Sequence, residues 1–458
     1  MPTAPPGLPG TPAGDSPVDR ALALSLADEK DSALRWAAAL LRSEPASPLA
    51  LLITARLVSA LGRREVAIEG LEACVARAVD AGNLPLAVAA CCDLRTLRVD
   101  PAQHLDDVAR TFARRSTRLL GKGASPPELP GKAQEFQPLA SALSGKALLN
   151  KAQEMIHTAR QLLEQDQEER EEEPKVVPHP LFSGLDESEL RSMVGIFETQ
   201  TVQSGAVLIE EGTSGAEAFI VARGELEVRR EVYDDSGNAT GESLMLALLG
   251  NGALFGEMAL LSRAPRAASV IARRPSIILV ARKDALDAIA EKQPEVGELF
   301  ADHCRRRMVE NLVRTSSILS AVRPDERPAL VERFVTRTYE EGERLIFQGR
   351  ESEGLHLIAS GEVAVMHQED DDSTLIAKLG VGEVVGEVAL VLHRASSADV
   401  IANCPTVTLH LPRDRFLDLI KKHPAILAQL YELAIKRDEE TTSLVAQEAT
   451  EADDYVLV

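Results

Sequence analysis

Phe255-Gly256-Glu257-Met258-Ala259-Leu260-Leu261, followed by Pro265-Arg266-Ala267-Ala268, is the stretch from which the rest of the chain is read. It sets one carboxylate and one guanidinium nine residues apart around a glycine turn and a short apolar helix. Gly256 lets the backbone approach a ligand where a Cβ would clash. The turn after it starts a helix whose free N–H groups can face an anion. Arg266 offers a planar fork of donors that pairs with phosphate oxygens. Glu257 repels phosphate, so its natural target is a neutral donor such as a sugar hydroxyl. Together these groups suit a small cyclic phosphodiester carried on a sugar.

The surroundings of this stretch occur twice. Gly205, Gly212 and Gly224 recur as Gly342, Gly349 and Gly361, an offset of 137, while Gly252, Gly256 and Glu257 recur as Gly382, Gly386 and Glu387, an offset of 130. The change of offset predicts a longer hairpin in the first copy near 233–241, where Asp234, Asp235, Ser236 and Gly237 supply turn residues. Strand patterns over 218–221, 225–228 and 355–358, separated by glycine turns, predict a jelly-roll barrel in each copy. Flanking helices are expected over 187–196, 283–317, 327–334 and 413–437.

The Gly-Glu-x-Ala-Leu-Leu…Pro-Arg-Ala-Ala string resembles the phosphate-binding cassette of the cyclic-nucleotide-binding domain family. That family includes the catabolite activator proteins, the regulatory subunits of cyclic-AMP-dependent kinase and cyclic-nucleotide-gated channels. The resemblance implies the jelly-roll fold and assigns Glu257 to the ribose 2′-hydroxyl and Arg266 to the cyclic phosphate. Gly256, Met258, Ala259, Ala267 and Ala268 complete the expected ligand-binding set. In the family a Ser or Thr after the arginine can bond guanine. Ala267 lacks that hydroxyl, which favours cyclic AMP, with cyclic GMP or another cyclic nucleotide left open.

The second cassette departs from this pattern. Aligned residue by residue, Ala395 stands where Pro265 is, Ser396 where Arg266 is, and Asp399 where Ser269 is. The phosphate cation is gone, and a phosphate there would meet acidic groups without compensation. Loss of one charge-assisted pair costs about 1.5–3 kcal/mol, roughly ten- to a hundredfold in affinity. Gly386, Glu387, Ser396 and Ser397 are thus expected to form a weak second site, or a structural module. Arg394 could substitute from another angle.

The chain has 458 residues and a formal charge of −21, from 71 acidic and 50 basic residues. That balance argues against nucleic acid and anionic membranes as partners. No apolar run is long enough to span a bilayer, and the Pro/Gly-rich start lacks the pattern of a signal peptide. The five cysteines, Cys74, Cys91, Cys92, Cys304 and Cys404, have no metal-ligand spacing and read as a reducing, cytoplasmic setting. No metal site, cofactor or catalytic motif is evident.

The expected architecture is α+β and multidomain: an all-α helical repeat or bundle followed by two jelly-roll modules with flanking helices. Residues 1–17 read as a disordered tail and 18–120 as a helical domain. The segments 32–42, 48–61, 64–81 and 84–97 form pairs that resemble tetratricopeptide-type repeats, with a plain bundle as the alternative. A linker is expected over 121–143 and a long, acidic-ended helix over 144–174. The first module is placed at 175–316, the second at 317–440, and an acidic tail at 441–458. The tandem arrangement is also similar to the kinase regulatory subunits, whose inhibitor sequence has the form Arg-Arg-x-Ser/Ala. Arg114-Arg115-Ser116-Thr117 matches it only superficially, because Arg118 follows where an apolar residue is expected.

The reading is a cytoplasmic, non-enzymatic sensor of a cyclic nucleotide. It contacts a protein partner through the helical domain, and an oligomer is compatible with it. A lid helix over 294–317 leads from the first cassette into the second module and is expected to carry the signal. The competing reading is a scaffold whose two modules have lost their ligands.

Overall fold

The computed structural model describes residues 16–120, 137–233, 239–261, 265–316, 322–323, 326, 330, 333–369 and 372–455. The chain start, most of the expected linker, the turn at 234–237, most of the helix expected over 327–334 and the last three residues lie outside this set. The chain divides into two compact units. The first comprises the residues up to Leu208, Glu217–Phe255 and Ser269–Leu299; the second comprises Ile209–Ala216, Gly256–Ala268 and Phe300 onward.

The first unit begins with six helices: α1 (Pro17–Leu26), α2 (Lys30–Ser43), α3 (Pro48–Ala60), α4 (Arg64–Asp80), α5 (Leu84–Thr96) and α6 (Ala102–Phe112). Several starts are set by side-chain caps with a proline just inside. Ser16 accepts from the Asp19 amide at 3.1 Å, Ser47 from Ala50 at 3.3 Å and Asn83 from Leu86 at 3.2 Å. α7 (Gly145–Glu168) buries Leu148, Ala152, Ile156, Ala159 and Leu163, a stripe at three- and four-residue spacing, and packs on α2, α3 and α4. Its acidic end is solvated in part and paired in part, with Asp166 2.5 Å from Arg77.

The helices are joined to the first barrel by polar contacts. Arg56 pairs with Asp93 at 2.5 Å and donates to Thr201 at 3.1 Å, and Thr199 donates to Asp93 at 3.1 Å. Cys92 donates to the Phe197 carbonyl at 3.0 Å, and Arg95 donates to the carbonyls of Gly195 and Phe197. Asp19 of α1 is buried between two cations, 2.5 Å from Arg223 and also bonded by Arg274. Burial opposes its charge, yet the Arg274 hydrogen bond and the Arg223 charge hold its pKa below the usual aspartate value. The helical segment and this barrel therefore form one body.

The barrel follows α8 (Glu187–Gly195), whose start carries a capping box of Asp186 and Glu189. Its eight strands are β1 (Glu198–Val202), β2 (Val207–Ile209), β3 (Glu217–Arg223), β4 (Leu226–Tyr233), β5 (Ala239–Leu249), β6 (Leu254–Phe255), β7 (Ser269–Ala272) and β8 (Ser276–Arg282). They form two four-stranded sheets, ordered β1-β8-β3-β6 and β2-β7-β4-β5. The second barrel has β9 (Val335–Tyr339), β10 (Arg344–Ile346), β11 (Gly354–Ser360), β12 (Val363–Glu369), β13 (Asp372–Leu379), β14 (Val384–Val385), β15 (Asp399–Ala402) and β16 (Thr406–Pro412). Its sheets, β9-β16-β11-β14 and β10-β15-β12-β13, repeat the first order strand for strand. Both copies are the expected jelly roll. β4 and β5 are longer than β12 and β13, which places the change of offset in that hairpin, and the ten repeated glycines all have positive φ.

Two helical expectations need correction. The helix expected over 283–317 is two, α10 (Lys283–Lys292) and α11 (Pro294–Thr315). The helix expected over 413–437 is also two, here numbered α13 (Arg413–Lys422) and α14 (Pro424–Tyr455); the cassette turn α12 (Glu387–Val391) precedes them. Pro294 and Pro424 break the runs, because proline donates no hydrogen bond and pushes the preceding residue out of the helical region. The second helix in each copy is thus free to take its own direction. α14 continues to Tyr455, across the boundary drawn at 440.

Candidate functional site

In the first cassette β6 leads into Gly256, whose φ is +74°, a left-handed conformation that glycine adopts without strain. Glu257 follows and is 3 % exposed. The helix α9 (Met258–Leu261) is a single turn with Ala259 within it, at the place where the sequence predicts a short apolar helix. Arg266 is buried and faces inward: its guanidinium donates to the Gly256 carbonyl at 2.6 Å. Its backbone is pinned on both sides, donating to Thr213 O at 2.8 Å and accepting from Gly212 N at 2.8 Å. The guanidinium lies flat against Gly215, where an added Cβ would come within 2.5 Å of it. Thus Gly256, Glu257 and Arg266 are brought together, while Met258 packs against the core that includes Met308, Val309 and Leu312 of α11, Ala267 is exposed and Ala268 half-buried.

The sequence reading missed a further residue, Arg307 on α11, whose Nε is 3.6 Å from the Glu257 carboxylate. Burial pushes the Glu257 pKa up, while Arg307 first, then a backbone hydrogen bond at Glu257 itself, and last Arg266 oppose that shift. Cys304, one turn before Arg307, is fully buried, and burial raises its thiol pKa, with the Glu257 charge adding to it. A signal for Arg307 existed. Arg307 and Arg437 both stand 50 residues after their cassette glutamates, Glu257 and Glu387.

The second cassette keeps the turn and loses the cation. Gly386 has φ +88°, and an added Cβ would meet the Gly354 carbonyl at 2.7 Å. Glu387 is buried, with burial raising its pKa against the pull of Arg437. Arg437 of α14 donates to it at 2.7 Å and to the Val384 carbonyl at 2.6 Å. Ser396 is buried and its hydroxyl has no hydrogen-bond partner, while Ser397 accepts through its carbonyl from His367 at 2.8 Å when that ring carries the Nδ1 proton. Arg394 does not take the place of the lost arginine, because it pairs with Asp438 on α14. Asp399 is held by the Gln348 amide at 2.8 Å and by Arg344 at 3.0 Å.

Arg114-Arg115-Ser116-Thr117 lies in a turn after α6. Arg114 N donates to Leu185 O at 2.8 Å, and Arg118 is buried on Asp80, Thr111 and the Pro174 carbonyl. All five cysteines are free thiols. Among the described residues no cluster of His, Cys, Asp or Glu could hold a metal ion, and no helix is long and apolar enough to cross a membrane.

Two barrels of one strand order, each carrying a Gly-Glu cassette faced by an arginine from a following helix, make a tandem jelly-roll arrangement. The family model for the cyclic nucleotide-binding domain matches residues 199–293 and 336–423, and the chain carries two domains of that family. It is 30 % identical over 230 residues to the cAMP-dependent protein kinase type II regulatory subunit of Drosophila melanogaster, covering 50 % of this chain and 56 % of the fly protein. It is 28 % identical over 319 residues to the cAMP-dependent protein kinase regulatory subunit of Yarrowia lipolytica, covering 68 % of this chain and 76 % of the yeast protein. The chain thus spans little more than half of the fly relative. Among solved structures, the regulatory domain of Toxoplasma gondii PKA with cAMP matches at 24 % identity and a TM-score of 0.27, covering 56 % of this chain and 92 % of that one.

Proposed function

We propose that this chain is a non-catalytic sensor of cyclic AMP, bound by the first cassette. The observation that carries the reading is the inward, buried Arg266 guanidinium in the same cassette as the buried Glu257, with Gly215 leaving room for it. Arg266 would grip the cyclic phosphate and Glu257 the ribose hydroxyl. Ala267 and Ala268 would border the base. The relatives' names point to the same ligand.

Ligand binding reaches the second domain through two contacts inside the second unit. Met258 packs against a core that includes Met308, Val309 and Leu312 of α11 together with Leu355, Leu357 and Leu409 of the second barrel. Arg307 stands on the same helix, beside Glu257. A ligand that changes the cassette therefore acts on α11, provided it favours one arrangement over the other. The output is a protein partner, for which the helices ahead of the first barrel offer a surface. The negative charge of the chain disfavours nucleic acid there.

Calorimetry with cyclic AMP on the wild type and on Arg266→Ala tests this reading. Micromolar or tighter binding that the substitution removes supports a sensor; no heat from either protein would support a ligand-free scaffold instead.

A further inference from the structure

The sheet edge formed by β5 in the first barrel is built unlike its counterpart in the second. β5 stands at the end of the order β2-β7-β4-β5, and among the described residues β4 is the one strand paired with it. An edge strand offers a row of backbone donors and acceptors to any second strand, and proteins usually guard it with a charge, a proline or short length. The second barrel does so. Its edge strand β13 carries the exposed Lys378, in register with Ala364. The offset of 130 puts Leu248 at that position in β5, in register with Glu227. β5 is also longer, 11 residues against 8, and has neither a charge nor a proline from Ser243 to Gly250. Instead Leu244, Met245 and Leu248 are 59 %, 54 % and 48 % exposed.

A bulge makes this edge complementary to itself. Val228 and Arg229 of β4 face Ala247 and Met245, so Leu246 is the extra residue. In a regular strand Met245 and Leu248, three apart, would point to opposite faces. Across the bulge they stand opposite Arg229 and Glu227, on one face. Consider β5 laid antiparallel to its own copy about a two-fold axis between Leu246 and Ala247. Met245 of one chain then lies opposite Leu248 of the other on that face, and Leu244 opposite Leu249 on the reverse face, the pairings that stabilise a sheet. Glu242 falls beyond the last strand residue of the second copy, so no carboxylates meet. That matters for a chain of charge −21, whose copies repel one another at a distance. We propose that this edge is an interface between two copies of the chain, paired over Leu244–Leu249 in this register. Two-fold pairing uses the edge on both chains, so assembly stops at two.

Sedimentation equilibrium of the full chain tests this. A single strand pair is at the small end of specific interfaces, so the wild type should pass from monomer to dimer between about 1 and about 200 µM. Leu248→Lys, which copies the edge of the second barrel, sets a charge against Met245 of the other chain and should weaken the dimer at least about tenfold. Met245→Glu should do the same. With both substitutions a carboxylate faces an ammonium across the axis, and the dimer should return. Both side chains are exposed, so thermal melts of the variants should match the wild type. The proposal is overturned if the wild type stays monomeric throughout, which would leave the edge to a strand of another protein. It is also overturned if the single variants dimerise as the wild type does, or if the double variant fails to recover. None of these outcomes bears on cyclic AMP binding by the first cassette.

Discussion

Arg437 donates to Glu387 at 2.7 Å, while its counterpart Arg307 stays 3.6 Å from Glu257. The two pairs have the same spacing in sequence and the same parents in the fold, a cassette carboxylate and a helix that starts at a proline. They differ in closure. In the second domain the lid arginine bonds the glutamate and a cassette carbonyl together, and Arg394 adds a second tie from the cassette to α14. In the first domain the carboxylate is approached without being closed upon, so a ligand hydroxyl can compete for it.

The closed pair should be a large part of what holds α14 down. Replacing Arg437 by Met leaves Glu387 buried without its cation, and removal of one partner from a buried pair typically costs about 3–5 kcal/mol. The variant is expected to lose about 3 kcal/mol in the unfolding transition of the second domain, measured by urea titration. Adding Glu387→Gln should return most of the loss, because the stranded charge is then gone. If the single variant unfolds at the wild-type denaturant concentration, the latch is ornamental.

The open pair makes a different prediction. Burial already pushes the Glu257 pKa up, and Arg307 is the foremost influence opposing it. With Arg307→Met the carboxyl should protonate closer to neutrality. The ionised form is the better acceptor for the ribose hydroxyl, so in the variant the loss of ligand affinity on acidification should set in at a higher pH than in the wild type. Cyclic AMP affinities measured from pH 8 to pH 5 decide it; identical profiles for the two proteins would remove Arg307 from the site.

Much of this arrangement was legible in the residues themselves. The repeated glycines marked the turns because each sits at positive φ, and Ser396 in place of Arg266 announced the altered pocket. What was not legible has physical causes. Arg307 and Arg437 lie on amphipathic helices far from their glutamates, where an arginine looks like any solvated charge until the fold brings it back. The breaks at Pro294 and Pro424 were hidden by apolar periodicity that continues across them. The docking of α1 rests on Asp19 meeting Arg223 and Arg274, each more than 200 positions further along the chain, and no local pattern reports such a contact.

That docking should be sensitive to a single side chain. Asp19 is 5 % exposed and bears on both Arg223 and Arg274. Asp19→Ala leaves Arg223 buried and uncompensated, and a loss of about 3 kcal/mol is expected. Hydrogen exchange should show α1 opening first, with the second domain unaffected. The Asp19 pKa is lowered by folding, so its contribution is present above the ordinary aspartate range and is lost as pH falls through the folded value. Unchanged protection of α1 in the variant would show that apolar contacts alone hold it.

The second barrel should also be the more acid-labile of the two, because of two histidines. His356 and His410 face each other across β11 and β16, with ring centroids 4.4 Å apart, at the register where the first barrel pairs Phe219 with Val280. Both are buried; His356 contacts the Thr408 hydroxyl at 3.1 Å, and neither ring nitrogen of His410 has a partner. Burial lowers the His356 pKa to about 3 and the His410 pKa to about 4. Below about pH 6.5 the unfolded chain therefore takes up protons that the folded barrel refuses. Stability falls with pH down to about 4, by roughly 1.4 kcal/mol per pH unit for each proton withheld. His356→Phe with His410→Val, which copies the first barrel, should flatten that slope between pH 6.5 and pH 4 in thermal melts followed as a function of pH. A slope as steep as the wild type's would place the acid sensitivity elsewhere, with buried carboxylates the next groups to titrate.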